Sequence, residues 1–189
     1  MELLKETIRN KGIVKTKDIL KVDGFLNHQI DVDLMDEIGK EFANYFKEKG
    51  ITKVVTIESS GIAPSVFCAK YLHVPVLFIK KALPSTMENP AVSTVFSFTK
   101  NKEYTICLEK KYLNEKDKVL FIDDFLANGQ AFIGAKNLIE SCKASIEGVG
   151  IVIEKGYQSG GKMIREMGYD VYSLAIIDDM DEKGIVFHE

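Results

Sequence analysis

Cysteine is scarce in this chain. Cys68, Cys107 and Cys142 are too few and too scattered for a disulfide framework, and they form no C-x-x-C pair for a metal. They read as reduced, buried thiols, because free cysteine packs like a small hydrophobe. No stretch reaches the roughly 18 consecutive apolar residues of a membrane span. The opening Met1-Glu2-Leu3-Leu4-Lys5-Glu6 is not built like a signal peptide, so a cytoplasmic protein without a membrane partner is expected. Charge of one sign is also lacking: 25 Lys and Arg face 28 Asp and Glu, for a net charge of −3. The basic residues are spread rather than blocked, which argues against nucleic acid as the main partner but leaves a local basic pocket open. His28, His73 and His188 share no metal-ligand spacing, and neither repeats nor low-complexity tracts occur. No protein metal site is expected.

What is present is an ordinary globular composition, 46% hydrophobic and 28% charged over 189 residues, enough for one domain with a sizeable core. Residues 2–11 predict a short helix, and residues 12–27 are less regular. Asp31 is a plausible N-cap for a helix carrying Leu34, Met35, Ile38, Phe42, Tyr45 and Phe46 at helical spacing, ended by Gly50. Lys53-Val54-Val55-Thr56-Ile57 predicts a strand, and Ala63-Pro64 opens a helix to about Leu72. Residues 75–79 predict the next strand. The polar segment from Lys80 to Glu103, with Pro84 and Pro90, reads as a long excursion of the functional or mobile kind. Strands are predicted at 104–108, 118–122, 146–153 and 171–177, with helices at 129–142 and around 163–167. Strands alternating with helices imply an α/β fold with a parallel, twisted, doubly wound sheet flanked by helices. Ligands in such sheets sit beyond the strand C-termini, near the point where strand order reverses. Three turns qualify: 58–62, 123–131 and 154–159.

The strongest signal is Val119-Leu120-Phe121-Ile122-Asp123-Asp124-Phe125-Leu126-Ala127-Asn128-Gly129-Gln130-Ala131. An apolar strand delivers two carboxylates, and a small-residue loop opens into a helix. Loop amides and the positive helix end favour a phosphate, while carboxylates accept hydrogen bonds from vicinal hydroxyls. Alone, the acids could be a solvated turn, and Glu58-Ser59-Ser60-Gly61 could be an ordinary strand-to-helix corner. Lys80-Lys81 reads equally as solvated cations or as a point charge for an anion. Lys155 could simply mark where its strand meets water. Asp178-Asp179-Met180-Asp181-Glu182 reads as a solvated acidic turn.

The acid pair and its loop resemble the signature of the type I phosphoribosyltransferases. Nearly the whole chain is similar to one branch of that family, the bacterial enzymes of purine salvage that use xanthine. The likeness runs through Leu20-Lys21-Val22-Asp23, Phe25-Leu26-Asn27-His28-Gln29-Ile30-Asp31, Thr56 to Pro64, Phe96-Ser97-Phe98-Thr99-Lys100, Ile122 to Ala131 and Gly150 to Lys155. It implies the type I phosphoribosyltransferase fold over residues 1–189, with 1–31 contributing a base-covering hood and 81–103 a flexible cover. The implied substrates are xanthine and 5-phosphoribosyl-1-pyrophosphate, with magnesium carried by the pyrophosphate, in a homodimer. Asp123 and Asp124 would take the ribose and serve the chemistry. Ser59, Ser60 and Gly61 would take the pyrophosphate, and Ala127, Asn128, Gly129, Gln130 and Ala131 the 5-phosphate. Leu20 and Asn27 would border the base, Lys155 would donate to its six-position oxygen, and Tyr157 would stack on it. Ala127 stands where the hypoxanthine–guanine branch carries an acid, so no general base is assigned. Guanine, hypoxanthine or orotate as the base, and a non-catalytic purine regulator with a DNA-binding head, are the alternatives. Only about 50 residues precede the first sheet strand, short of the roughly 60–70 such a head needs.

Overall fold

The continuous apolar runs of the central strands dictate a sheet covered on both faces. The computed structural model describes residues 1–97 and 102–189. Its main sheet has the strand order β10-β9-β8-β7-β3-β4. These are β3 (Lys53–Ile57), β4 (Val76–Ile79), β7 (Lys118–Leu126), β8 (Ser145–Lys155), β9 (Val171–Asp181) and β10 (Gly184–Phe187). All neighbours run parallel except β10, which returns antiparallel on β9. Along β7, Leu120 and Ile122 face a core shared with Phe42, Phe46 and Cys68, whereas Val119 and Phe121 face one shared with Phe132, Leu138 and Ile164. The first core is roofed by α1 (Glu2–Lys11), α2 (Val32–Phe46) and α3 (Ile62–Leu72), and the second by α4 (Gln130–Ser141) and α5 (Gly160–Glu166).

Local chemistry explains the helix limits. The Asp31 side chain accepts a hydrogen bond from the Leu34 amide as an N-cap, and Gly50 ends the following turn in the left-handed region at φ 65°. No helix among the described residues is long and apolar enough to cross a membrane. Cys68 and Cys107 are buried, Cys142 is half-buried, and all three are free. Burial pushes the Cys68 thiol up to about 12.

Three regions depart from the expected elements. Residues 12–27 form a β-hairpin, β1 (Ile13–Thr16) on β2 (Ile19–Lys21), followed by a π-helical turn over Asp23–Asn27. The hairpin is too short for a periodicity to show. Within the expected excursion, β5 (Pro90–Ser97) pairs antiparallel with β6 (Lys102–Glu109). Ala91, Val95, Ile106 and Leu108 join the core over α4, so this polar-looking ribbon has one apolar face. Phe98, Thr99 and Lys100 of the expected cover lie outside the described residues. The acidic turn at 178–182 is instead the end of β9 and its hairpin into β10, where the Asp181 side chain accepts from the Lys183 and Gly184 amides.

Strand order places the functional end. The chain leaves β3 toward β4, then returns on the other side of β3 to build β7, β8 and β9. The order therefore reverses between β3 and β7, and the turns after those strands face one crevice.

Candidate active site

β7 continues through both acids to Leu126, two residues beyond them, so Asp123 and Asp124 belong to the strand rather than to its loop. Asp124 is buried and accepts a hydrogen bond from Asn27 Nδ2 at 3.0 Å, while Asp123 is half-buried and takes the Asp124 amide on Oδ1 at 3.0 Å. Burial, reinforced by the neighbouring Asp124 charge, holds the Asp123 carboxyl well above the usual carboxylate range, with Lys81 pulling the other way. Tyr104 of β6 feels the same charge: burial and Asp123 both raise its phenol.

The turn after β3 closes on this pair. Glu58-Ser59 is a cis peptide, Ser59 is exposed, and Gly61 precedes α3. A Cβ on Gly61 would overlap the Thr56 hydroxyl and lie 3.2 Å from Asp123 Oδ1, so glycine lets the turn descend onto the acids. The Thr56 hydroxyl beneath is fully buried and finds no hydrogen-bond partner among the described residues. Glu58 Oε1 accepts from the Lys81 amide at 2.7 Å, tying the turn to the end of β4. Of the two lysines at that end, Lys81 is the one whose charge reaches Asp123; Lys80 pairs its backbone with Cys107 and sets its ammonium 5.5 Å from the Phe78 ring centroid.

Beyond Leu126 the loop Ala127–Gly129 leads directly into α4. Asn128 Oδ1 accepts from the Gln130 amide at 3.2 Å, and Gly129 adopts φ 83°, a left-handed turn that suits glycine. No side chain caps α4 from the Gly129 position. Apart from the Gln130 amide, taken by Asn128, the first turn of the helix directs its amides and positive dipole end to the loop, which suits an anionic phosphate.

The third corner carries Lys155 and Tyr157. Lys155 Nζ donates to the Asp18 carbonyl at 2.6 Å, and the Tyr157 hydroxyl donates to the Lys17 carbonyl at 3.1 Å, so both hold the tip of the β1–β2 hairpin. Burial lowers the Lys155 pKa, with the Asp18 charge partly offsetting it. Lys155 Nζ also lies 5.8 Å from the centroid of Phe125, the residue after the acid pair. Leu20 is buried in the core beneath the hairpin with Val22, Phe25 and Leu26. The structure therefore gathers Asn27 and the acid pair directly, and sets Lys155 beside Phe125 at the same strand ends. It engages the Tyr157 hydroxyl with the hairpin, a bond that nothing in the local sequence announces.

Some features were missed from the sequence. Glu154 is buried at 4% exposure, yet it sits in an apolar run, Ile151-Val152-Ile153, which is itself a signal that a cation must meet it. That cation is Arg165, which binds both carboxylate oxygens at 2.7 and 2.8 Å, while the Ser173 hydroxyl donates to one of them. Burial alone would raise the Glu154 carboxyl; Arg165 and Ser173 outweigh it and hold it below the usual value. Among the described residues, no three His, Cys, Asp or Glu side chains converge as a metal-ligand set.

Comparison with known proteins shows the family. The family model for the phosphoribosyl transferase domain matches residues 7–188. The xanthine phosphoribosyltransferase of Ruminiclostridium cellulolyticum is 52% identical, the match covering 100% of both chains. That of Bacillus cereus is 54% identical over 99% of this chain and 95% of its own. In three dimensions, the adenine phosphoribosyltransferase of Giardia lamblia, complexed with 9-deazaadenine, superposes with a TM-score of 0.72 at 26% identity, covering 88% of this chain and 92% of that one.

Proposed function

This chain belongs to the phosphoribosyltransferase family, and we infer that it is the salvage enzyme transferring the 5-phosphoribosyl group of 5-phosphoribosyl-1-pyrophosphate to xanthine. The products are xanthosine 5-monophosphate and pyrophosphate. The observation that carries this reading is the 52–54% identity with xanthine phosphoribosyltransferases along the whole chain.

The 5-phosphate docks on the loop of Ala127, Asn128, Gly129, Gln130 and Ala131, at the positive end of α4. The pyrophosphate lies against the Ser59-Ser60-Gly61 turn, whose close descent onto Asp123 brings leaving group and ribose together. Asp123 and Asp124 accept the ribose hydroxyls. As the pyrophosphate departs, the sugar becomes oxocarbenium-like, and carboxylate charge beneath it favours that cation. Lys81 stands on the leaving-group side as a point charge. Among the described residues no three ligating side chains converge, which suits a hard cation whose shell is made of water and diphosphate oxygens. Diphosphate oxygens and water would carry the magnesium, which would supply charge neutralisation of the leaving group.

Xanthine enters between the hood and Phe125. Lys155, its ammonium partly desolvated, donates to the oxygen at the six-position, where an amino group would bring two donors face to face. Asn27 borders the base from the hood while holding Asp124. The enzyme acts as a homodimer in the cytoplasm on the strength of its family likeness, which sedimentation and fractionation test. Steady-state rates with xanthine, guanine, hypoxanthine and orotate, each with 5-phosphoribosyl-1-pyrophosphate, test the base assignment. Xanthine is expected to give the highest kcat/KM. Equal or better turnover of another base overturns the xanthine assignment, and diphosphate binding without any turnover favours a sensor.

A further inference from the structure

Glu154 and Lys155 are consecutive at the end of β8, and they project to opposite sides. Lys155 reaches the hood, whereas Glu154 is held by Arg165 of α5 and Ser173 of β9. A buried ion pair is weak as a source of stability, because desolvation offsets most of its attraction. What a bidentate fork does supply is direction: two parallel hydrogen bonds fix the orientation of the helix that carries the arginine.

α5 is short, and both of its first residues are glycines. The Gly160 amide donates to the Ala127 carbonyl at 3.0 Å. A Cβ on Gly160 would overlap that carbonyl and come within 2.7 Å of the Gly129 nitrogen. A Cβ on Gly161 would overlap Glu154 Oε1 and come within 2.6 Å of Arg165 Nη1. Met163, one turn on, closes against Gly129: its Cε would lie 2.6 Å from a Cβ there. The start of α5 is thus wedged between the ion pair on one side and the loop Ala127–Gly129 on the other.

We propose that Arg165 and Glu154 are positioning residues for phosphoribosyl transfer, acting through α5 and Gly160 to hold the 5-phosphate loop in its binding shape. The inference rests on the family reading, in which Ala127 to Ala131 receive the 5-phosphate. Displacing such a loop by about 1 Å is enough to cost up to roughly a hundredfold.

The test compares wild type with Arg165→Met, Arg165→Lys, the double variant Glu154→Gln/Arg165→Met, and Gly160→Ala. Two quantities are read: KM for each substrate with xanthine and 5-phosphoribosyl-1-pyrophosphate, and calorimetric affinity for ribose 5-phosphate. Arg165→Met, the double variant and Gly160→Ala are expected to weaken ribose 5-phosphate binding and raise the diphosphate KM by about ten- to a hundredfold, with the xanthine KM within about twofold. Arg165→Lys, which keeps charge without the fork, is expected to fall between wild type and Arg165→Met. The double variant leaves no stranded buried charge and Gly160→Ala leaves the ion pair intact, so the test survives if Arg165→Met does not fold. Unchanged ribose 5-phosphate affinity alongside a lowered melting temperature overturns the proposal, as does an equal rise in both KM values. Wild type that binds ribose 5-phosphate but turns over no xanthine sinks the family reading of the base while leaving the loop measurement valid.

Discussion

The sugar end and the base end of the crevice are built in different ways. The sugar end is one continuous stretch, Asp123 to Ala131, in which strand, loop and helix start follow each other and much of the ligand chemistry is backbone. The base end is an assembly. Asn27 meets Asp124 from 97 residues away, and Lys155 and Tyr157 meet the hairpin tip from 137 and 140 residues away. On the proposed reading, affinity for a phosphorylated sugar is local and rigid, whereas discrimination among bases depends on distant pieces staying packed. If that division is real, substitutions at the two ends separate the two substrates kinetically.

The largest effect is expected at Asp123. Asp123→Asn should lower kcat/KM by about a hundredfold or more, because it removes charge beneath the developing sugar cation. It should also raise the melting temperature at neutral pH. The folded carboxyl lies well above its ordinary 3.8, mainly through burial, so keeping it ionised costs stability increasingly as pH rises from 3.8 toward the raised value. The gain of the variant over wild type should thus vanish below pH 3.8, which thermal scans across pH will show. A variant less stable than wild type at pH 7 would contradict the account.

Lys155→Met comes next. Loss of a charge-assisted hydrogen bond of about 1.5–3 kcal/mol corresponds to roughly ten- to a hundredfold in kcat/KM for xanthine. The diphosphate KM should stay within about twofold, and a matching rise there would break the proposed separation. Asn27→Ala sharpens the comparison differently, since Asn27 touches the acid pair from the hood. About a tenfold loss for xanthine, with a smaller rise in the diphosphate KM, is expected from steady-state kinetics. Tyr157→Phe is the mildest: an exposed neutral hydrogen bond of about 0.5–1 kcal/mol ties down the hairpin, so a two- to fivefold rise in xanthine KM is expected. A far larger loss would mean that the ring itself contacts the base.

The same contrast explains what was legible in the sequence. Helix α2 with its Asp31 cap, strand β3 and the sheet class followed from periodicity, because each is written in consecutive residues. β5 shows an alternating stretch from Val92 but reads as part of a long excursion, because its apolar face is made only when Val95 and Ala91 fold over α4; the hairpin of residues 13–21 was too short to show a period. The Glu154–Arg165 pair was announced only by an acid in an apolar run. Its partner could not be chosen among 25 Lys and Arg without the fold.

By itself, then, the chain set strand, acids, glycine loop and helix start in one stretch at the end of β7, the grip we propose for a phosphorylated ribose, because these act through local geometry and backbone dipoles. Tertiary structure decided the rest. It paired Asp124 with Asn27, raised the Asp123 carboxyl by burial, brought the Lys81 charge to Asp123, and set the start of α5 against Ala127. Those outcomes depend on desolvation and on which distant groups share a cavity, and no local pattern of residues specifies either.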